Sequence, residues 1–127
     1  GYLVSGQLKN NNNFQNNISL TPTIVEKNAN IIVDSPKTGD SLSMPFTVKG
    51  KARVFENQLN YRVLDSKGNP LVEGSITAKA PDVGQLSPFE FTISGFTTKG
   101  KVTLEVFDYS AKDGLEVDKV ILPVVLK

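Results

Sequence analysis

From Asn30 onward the chain is written in short runs of alternating apolar and polar residues. Phe46, Val48, Ala52 and Val54 alternate with Thr47, Lys49, Lys51 and Arg53, and Gly50 occupies the apolar register. Leu59, Tyr61 and Val63 alternate with Asn60 and Arg62. Phe89, Phe91 and Ile93 alternate with Glu90 and Thr92, and Val102, Leu104 and Val106 with Thr103 and Glu105. A period of two is the mark of strands with one buried and one wet face, because successive side chains point to opposite sides of a sheet. Weaker runs of the same kind cover 31–34, 71–78 and 116–126. No segment carries a sustained helical period.

Turn chemistry separates the runs. Ser35-Pro36-Lys37-Thr38-Gly39-Asp40, Asp65-Ser66-Lys67-Gly68-Asn69-Pro70, Thr98-Lys99-Gly100 and Lys112-Asp113-Gly114 break the alternation. In the second of these Gly68 is available for positive φ. Seven strands with turns at this frequency predict an all-β protein, a seven-stranded immunoglobulin-like β-sandwich. The Cys–Trp–Cys pattern and tyrosine corner of antibody domains are missing.

Residues 1–29 read differently. Asn10 to Asn13, Asn16 and Asn17 make a polar stretch with nothing nearby to build a core, which predicts a flexible N-terminal tether ahead of a domain over 30–127. Asn17-Ile18-Ser19 fits the N-glycosylation pattern, a match too short to carry weight. The opening Gly1-Tyr2-Leu3-Val4-Ser5-Gly6 fits the outer end of a removed signal or anchor segment, and equally a trimmed boundary before an ordinary strand.

Composition narrows the chemistry. The chain contains no cysteine and no histidine. This removes disulfides, thiolate metal sites, the commonest general base and the commonest zinc ligand. A formal net charge of +1 provides no concentrated basic surface for nucleic acid. No apolar run is long enough to span a bilayer, so membrane association is expected only through an anchor outside this chain.

The order of several landmarks resembles the Gmad2 family, the immunoglobulin-like domain of bacterial spore germination. They are Ser35-Pro36 with Gly39, Pro45-Phe46, Val48-Lys49-Gly50-Lys51-Ala52 and Phe55-Glu56. Leu59 to Asp65 with Gly68, Pro88-Phe89, Val106-Phe107 and Ser110-Ala111-Lys112-Asp113-Gly114 follow. The similarity covers about residues 31–126 and leaves the Asn-rich stretch outside. It implies an extracytoplasmic domain of the bacterial cell envelope, tethered to the membrane or carried on a lipoprotein, that serves binding or assembly. No catalytic residues carry over. Lipoprotein members bear a lipidated Cys, a residue type this sequence lacks.

Four features of the sequence each admit a functional and an ordinary structural role. Glu56, Glu73, Glu90 and Glu105 could pair as glycosidase carboxylates, but mostly hold outward positions on a small sandwich with little cleft, so no catalytic residues and no cofactor are expected. Asp108, Asp113, Glu116 and Asp118 gather oxygens near one loop, as calcium would require. A polar hairpin explains them as well, and no metal site is assigned. Arg62, Leu64, Phe107 and Tyr109 fall on one outward register and form the candidate partner surface. A bulge near Asp108, or cover from the tether, would bury part of it. The last strand, 120–126, is nearly continuous in apolar residues with Pro123 inside it; it could be an edge that accepts a partner's strand, or a strand covered on both faces.

The expected function is therefore a non-catalytic scaffold that assembles with envelope proteins. A cell-wall glycan-binding module is the alternative, and an inhibitor-like sandwich presenting the 80–87 loop ranks below it.

Overall fold

The computed structural model describes residues 23–54, 58–78 and 85–127. The described residues form eight strands in two sheets. They are β1 (Ile31–Ser35), β2 (Ser41–Leu42), β3 (Phe46–Ala52), β4 (Gln58–Leu64), β5 (Pro70–Thr77), β6 (Ser87–Ile93), β7 (Gly100–Tyr109) and β8 (Glu116–Leu126). One sheet has the order β1-β3-β6 and the other β2-β8-β7-β4-β5. The seven expected strands are all present, and the third and sixth of them, β4 and β7, pair antiparallel as the immunoglobulin arrangement requires. The eighth, β2, is two residues long and runs parallel to β8. A two-residue strand is too short to display a period.

The core lies between the sheets. Ile31, Val48, Phe89, Phe91 and Ile93 from the smaller sheet pack against Leu59, Val63, Leu104, Val106, Leu122 and Leu126 from the larger. Across this interface Tyr61 stacks on Phe91 at 4.3 Å between centroids, and Phe89 lies 5.9 Å from Phe91. Two glycines make room for this row. A Cβ on Gly50 would sit 2.0 Å from the Ile32 carbonyl oxygen and 2.7 Å from the Phe89 ring. A Cβ on Gly74 would meet the Tyr61 hydroxyl. Gly50 thus occupies the inward register without a side chain because the aromatic ring fills that space.

Residues 23–29, expected to belong to the tether, are in part tied to the sandwich. Val25 exchanges two backbone hydrogen bonds with Ile121 at 3.0 and 2.8 Å, and Lys27 bridges to Ile32. The Asn28 side chain donates to the Asp118 carbonyl at 2.7 Å, and the Asn30 amide donates to the Asp118 carboxylate at 3.1 Å. Asn28, read as part of the spacer, thus joins Asn30 at the start of the domain in a clasp on β8. The remainder of the expected tether, including Asn10 to Asn13 and the Asn17 sequon, lies outside the described residues, as do Phe55, Glu56 and most of the 80–87 loop.

Candidate functional site: the outer face of the five-stranded sheet

The register across β4, β7 and β8 places Arg62 beside Glu105, and Glu105 beside Ile121. All three point away from the core. The Arg62 Nε donates to Glu105 Oε1 at 2.6 Å, and its two terminal nitrogens donate to the Glu116 carboxylate at 3.0 and 2.5 Å. Lys119 closes the network, with its Nζ 2.6 Å from Glu116 and 3.7 Å from Glu105. Two cations and two carboxylates balance, so the cluster carries no net charge.

This network covers Phe107. The Arg62 guanidinium lies 4.6 Å above the ring centroid, the Lys119 ammonium 5.4 Å from it, and Tyr109 meets the ring edge-on at 5.5 Å. Cations on an aromatic face are attracted by its quadrupole, and the long stems of Arg and Lys shield apolar surface. Phe107 is consequently only 3% exposed. The expectation that it forms part of an exposed surface is corrected: it faces outward, apart from the core cluster, but under a charged cover.

The bulge anticipated near Asp108 is present, and it lies in β8. Val106 and Asp108, two residues apart, oppose Val120 and Val117, three apart. The extra residue falls at Asp118, whose φ of 55° is a conformation that Asp tolerates better than most side chains. The clasp from Asn28 and Asn30 holds that turn. The bulge thus leaves the outward register of β7 intact and brings Lys119 toward Phe107.

Electrostatics follow from these contacts. The hydrogen bonds from Arg62, then those from Lys119, hold the Glu116 carboxyl down at about 2. The bonds to Glu116, and then to Glu105, raise the Arg62 guanidinium above its usual range against the opposing effect of burial. Both groups are charged at neutral pH, which keeps the attraction between them in place.

The structure separates the four residues of the candidate surface. Arg62 and Phe107 are the lid and the floor of the ion-pair network. Leu64 pairs with Thr103, about 20 Å along β7 from Tyr109 at the strand rise of ~3.4 Å per residue. Half-buried, it lines a separate groove. Tyr109 alone is open, at 44% exposure. Leu115, which the alternation pattern did not single out, lies opposite Ser110 on the same hairpin and is 65% exposed. Its signal was an isolated Leu after Gly114, on the far side of a turn whose neighbours are all polar.

The hairpin that carries Tyr109 and Leu115 is tightly bonded. Ser110 N–H donates to the Leu115 carbonyl and Gly114 N–H to the Ser110 carbonyl, both at 2.8 Å. Lys112 N–H donates to the Ser110 hydroxyl and Leu115 N–H to the Asp113 carboxylate, both at 3.1 Å. The four acidic residues considered for calcium go to different partners. Asp113 caps Leu115, Asp108 accepts from the Tyr109 N–H, Glu116 binds Arg62 and Lys119, and Asp118 binds Asn30. Among the described residues no three acidic side chains converge.

The other carboxylates weighed for catalysis are spread out as well. Glu105 lies within the ion-pair network, Glu90 faces Lys49 at 4.0 Å on the opposite sheet, and Glu73 is exposed on β5. No helix of the described residues is long and apolar enough to cross a membrane.

A search of the curated proteins finds no match. Among solved structures, CopC from Methylosinus trichosporium OB3b is similar at 21% identity and a TM-score of 0.48, over 76% of this chain and 93% of that one. The family described as the immunoglobulin-like domain of bacterial spore germination, Gmad2, matches residues 30–115, a span running from the start of the sandwich through the exposed hairpin to Leu115 and stopping before β8. Those residues include all three rings of the aromatic row and most of the landmarks noted in the sequence, so the chain belongs to the Gmad2 family.

Proposed function

We propose that this chain is a non-catalytic interaction domain of the bacterial cell envelope, held outside the cytoplasm, that docks a partner protein through the β7–β8 hairpin. The observation that carries the reading is the pair Tyr109 and Leu115. Two large side chains stand open to solvent on a hairpin whose backbone is bonded on both sides of the turn. Tyr109 is buttressed edge-on by the covered ring of Phe107. Affinity at protein interfaces concentrates in a few aromatic and large apolar anchors, and rigid anchors lose little entropy on binding. The immunoglobulin-like sandwich and the family's setting in spore germination support an envelope role.

The test is crosslinking of the full-length protein in intact cells, with wild type compared against Tyr109→Ala and Leu115→Ser. One dominant envelope protein, captured by wild type and lost from both variants, is the expected result. Retention on purified peptidoglycan that disappears with Tyr109→Ala, without any protein adduct, would replace this reading with the glycan-binding one.

A further inference from the structure

Four strands end the two sheets, β1 and β6 in the smaller and β2 and β5 in the larger. An end strand presents unpaired backbone N–H and C=O groups along one side, and proteins protect such edges with short strands, proline or cover. Three of the four are protected in this way. β1 carries the bridge from Lys27 to Ile32. β2 is two residues long. β6 holds Pro88 inside it, a residue that discourages further pairing. β5 has eight residues and its proline stands at the first of them. Among the described residues no strand or bridge pairs with its outer side.

The side chains of β5 are under-covered as well. On the inner face Leu59 and Val63 of β4 are buried, but Ile76 and Val72, their register partners on β5, are only half-buried. Between these two, Gly74 has its inner side filled by Tyr61, whose hydroxyl lies where a Cβ would stand. An aromatic ring over an edge glycine pins the register of the strand. On the outer face Glu73 and Ser75 are exposed. Arg62 stands beside Glu73 in the register, but its guanidinium is committed to Glu105 and Glu116. Glu73 therefore has no cation among the described residues.

We propose that β5 pairs with β5 of a second copy of this chain, antiparallel about a two-fold axis at Gly74, so that two five-stranded sheets join edge to edge. The strand's own sequence indicates this occupant. A two-fold contact brings a surface onto itself, and the run from Val72 to Ile76 complements its own reverse. Val72 falls opposite the partner's Ile76 and Ile76 opposite the partner's Val72, an apolar β-branched pair formed twice on the inner face. Glu73 falls opposite the partner's Ser75, so no like charges face each other. Gly74 meets the partner's Gly74 on the axis, where no side chain holds the backbones apart. Neighbouring registers fit less well. An axis at Glu73 sets two carboxylates face to face. An axis at Ser75 sets each Ile76 against a glycine and carries each Val72 past Thr77, the end of the strand. Leu71, the extra residue of the β4–β5 bulge, ends the regular run on the other side. The pairing uses none of the β7–β8 hairpin and does not depend on what that hairpin binds.

Ser75 is exposed, so a charge placed there tests the pairing with the fold intact. Sedimentation equilibrium of the full chain is expected to show monomer and dimer in exchange. Ser75→Glu creates two carboxylate pairs with Glu73 and weakens the dimer about tenfold, whereas Ser75→Lys supplies the missing cation twice and tightens it by about the same factor. Both effects shrink in high salt. The sequence has no cysteine, so a single nitroxide at Thr77→Cys reads the register. Three residues on either side of the axis place the two labels about 20 Å apart, and Ser75→Glu in the labelled chain removes that distance. Three results overturn the proposal. One is a chain that stays monomeric at the highest concentration it reaches in solution. Another is a dimer that responds alike to Ser75→Glu and Ser75→Lys. The third is a dimer lost in Leu115→Ser and kept in Ser75→Glu, which assigns self-association to the hairpin.

Discussion

The three-stranded sheet turns Thr47, Lys49, Lys51, Glu90 and Thr92 to solvent, and every one of them is exposed. In the middle of the five-stranded sheet Arg62, Leu64, Thr103, Glu105, Phe107, Ile121, Pro123 and Val125 on its outer side are half-buried or buried, whereas Lys101, Tyr109 and Glu116 toward the strand ends and Glu73 and Ser75 on β5 are exposed. Both sheets share one core, so burial of their inner faces does not distinguish them. The difference lies outside. One face is a solvated surface whose Lys49–Glu90 pair, at 4.0 Å between exposed groups, contributes little. The other is organised in three parts: a groove, a neutral ion-pair cover and an open hairpin. Apolar residues on an outer face are retained where something covers them or docks on them, and that contrast points to the larger sheet as the working side of the domain.

The largest effect is expected at the inner face of the smaller sheet. Gly50→Ala drives a Cβ onto a backbone oxygen that cannot move aside, and loss of about 3 kcal/mol of stability in chemical denaturation is expected. Next is the cover on the larger sheet. Arg62→Ala strips the lid from Phe107 and leaves Glu105, whose side chain is 11% exposed, with Lys119 at 3.7 Å. A cost of about 2 kcal/mol follows from the lost charge-assisted bonds. The same experiment on Lys49→Ala should move stability by less than about 0.5 kcal/mol. Equal losses for Arg62→Ala and Lys49→Ala would erase the distinction between the two outer faces.

Acid sharpens the contrast further. Glu116 has its folded-state pKa lowered from 4.5 to about 2. A depressed carboxylate contributes stability above its unfolded pKa and loses it as pH falls through the folded value. Stability should therefore decline between about pH 4.5 and 2, with a shallower decline in Glu116→Gln. Glu116 is partly solvated, so the effect is smaller than that of the Arg62 substitution. Tyr109→Ala gives up one edge-to-face contact worth about 1 kcal/mol, less than Arg62→Ala and more than Lys49→Ala. Its main consequence is for binding. Phe107→Ser is a poor probe of binding by comparison, because it removes the support of the ion-pair network as well.

Most of the sandwich was legible in the sequence, and the reason is visible in β3 and β6. Where one face is fully wet and the other fully buried, strict alternation of residues such as Val48 and Lys49 reports both. The candidate surface was legible only in part. Alternation correctly placed Arg62, Leu64, Phe107 and Tyr109 outward. It carried no information on what lies above them, because Arg62 and Lys119, which cover Phe107, come from different strands, and the carboxylates that hold Arg62 lie 43 and 54 positions from it. A faint signal existed in Glu116 and Lys119, spaced to reach each other around the β8 bulge. The clasp of Asn28 and Asn30 was hidden for a different reason. Asparagine favours spacers and bulge-pinning alike, and only the left-handed turn at Asp118 selects between them.

A photoreactive amino acid placed at position 109, and in a second strain at position 49, tests the assignment of the working face in living cells most directly. Both positions are open to solvent, one on each sheet. The account predicts a discrete adduct with one envelope protein from position 109 and none from position 49. An adduct from position 49 alone, or the same set of adducts from both positions, would contradict it.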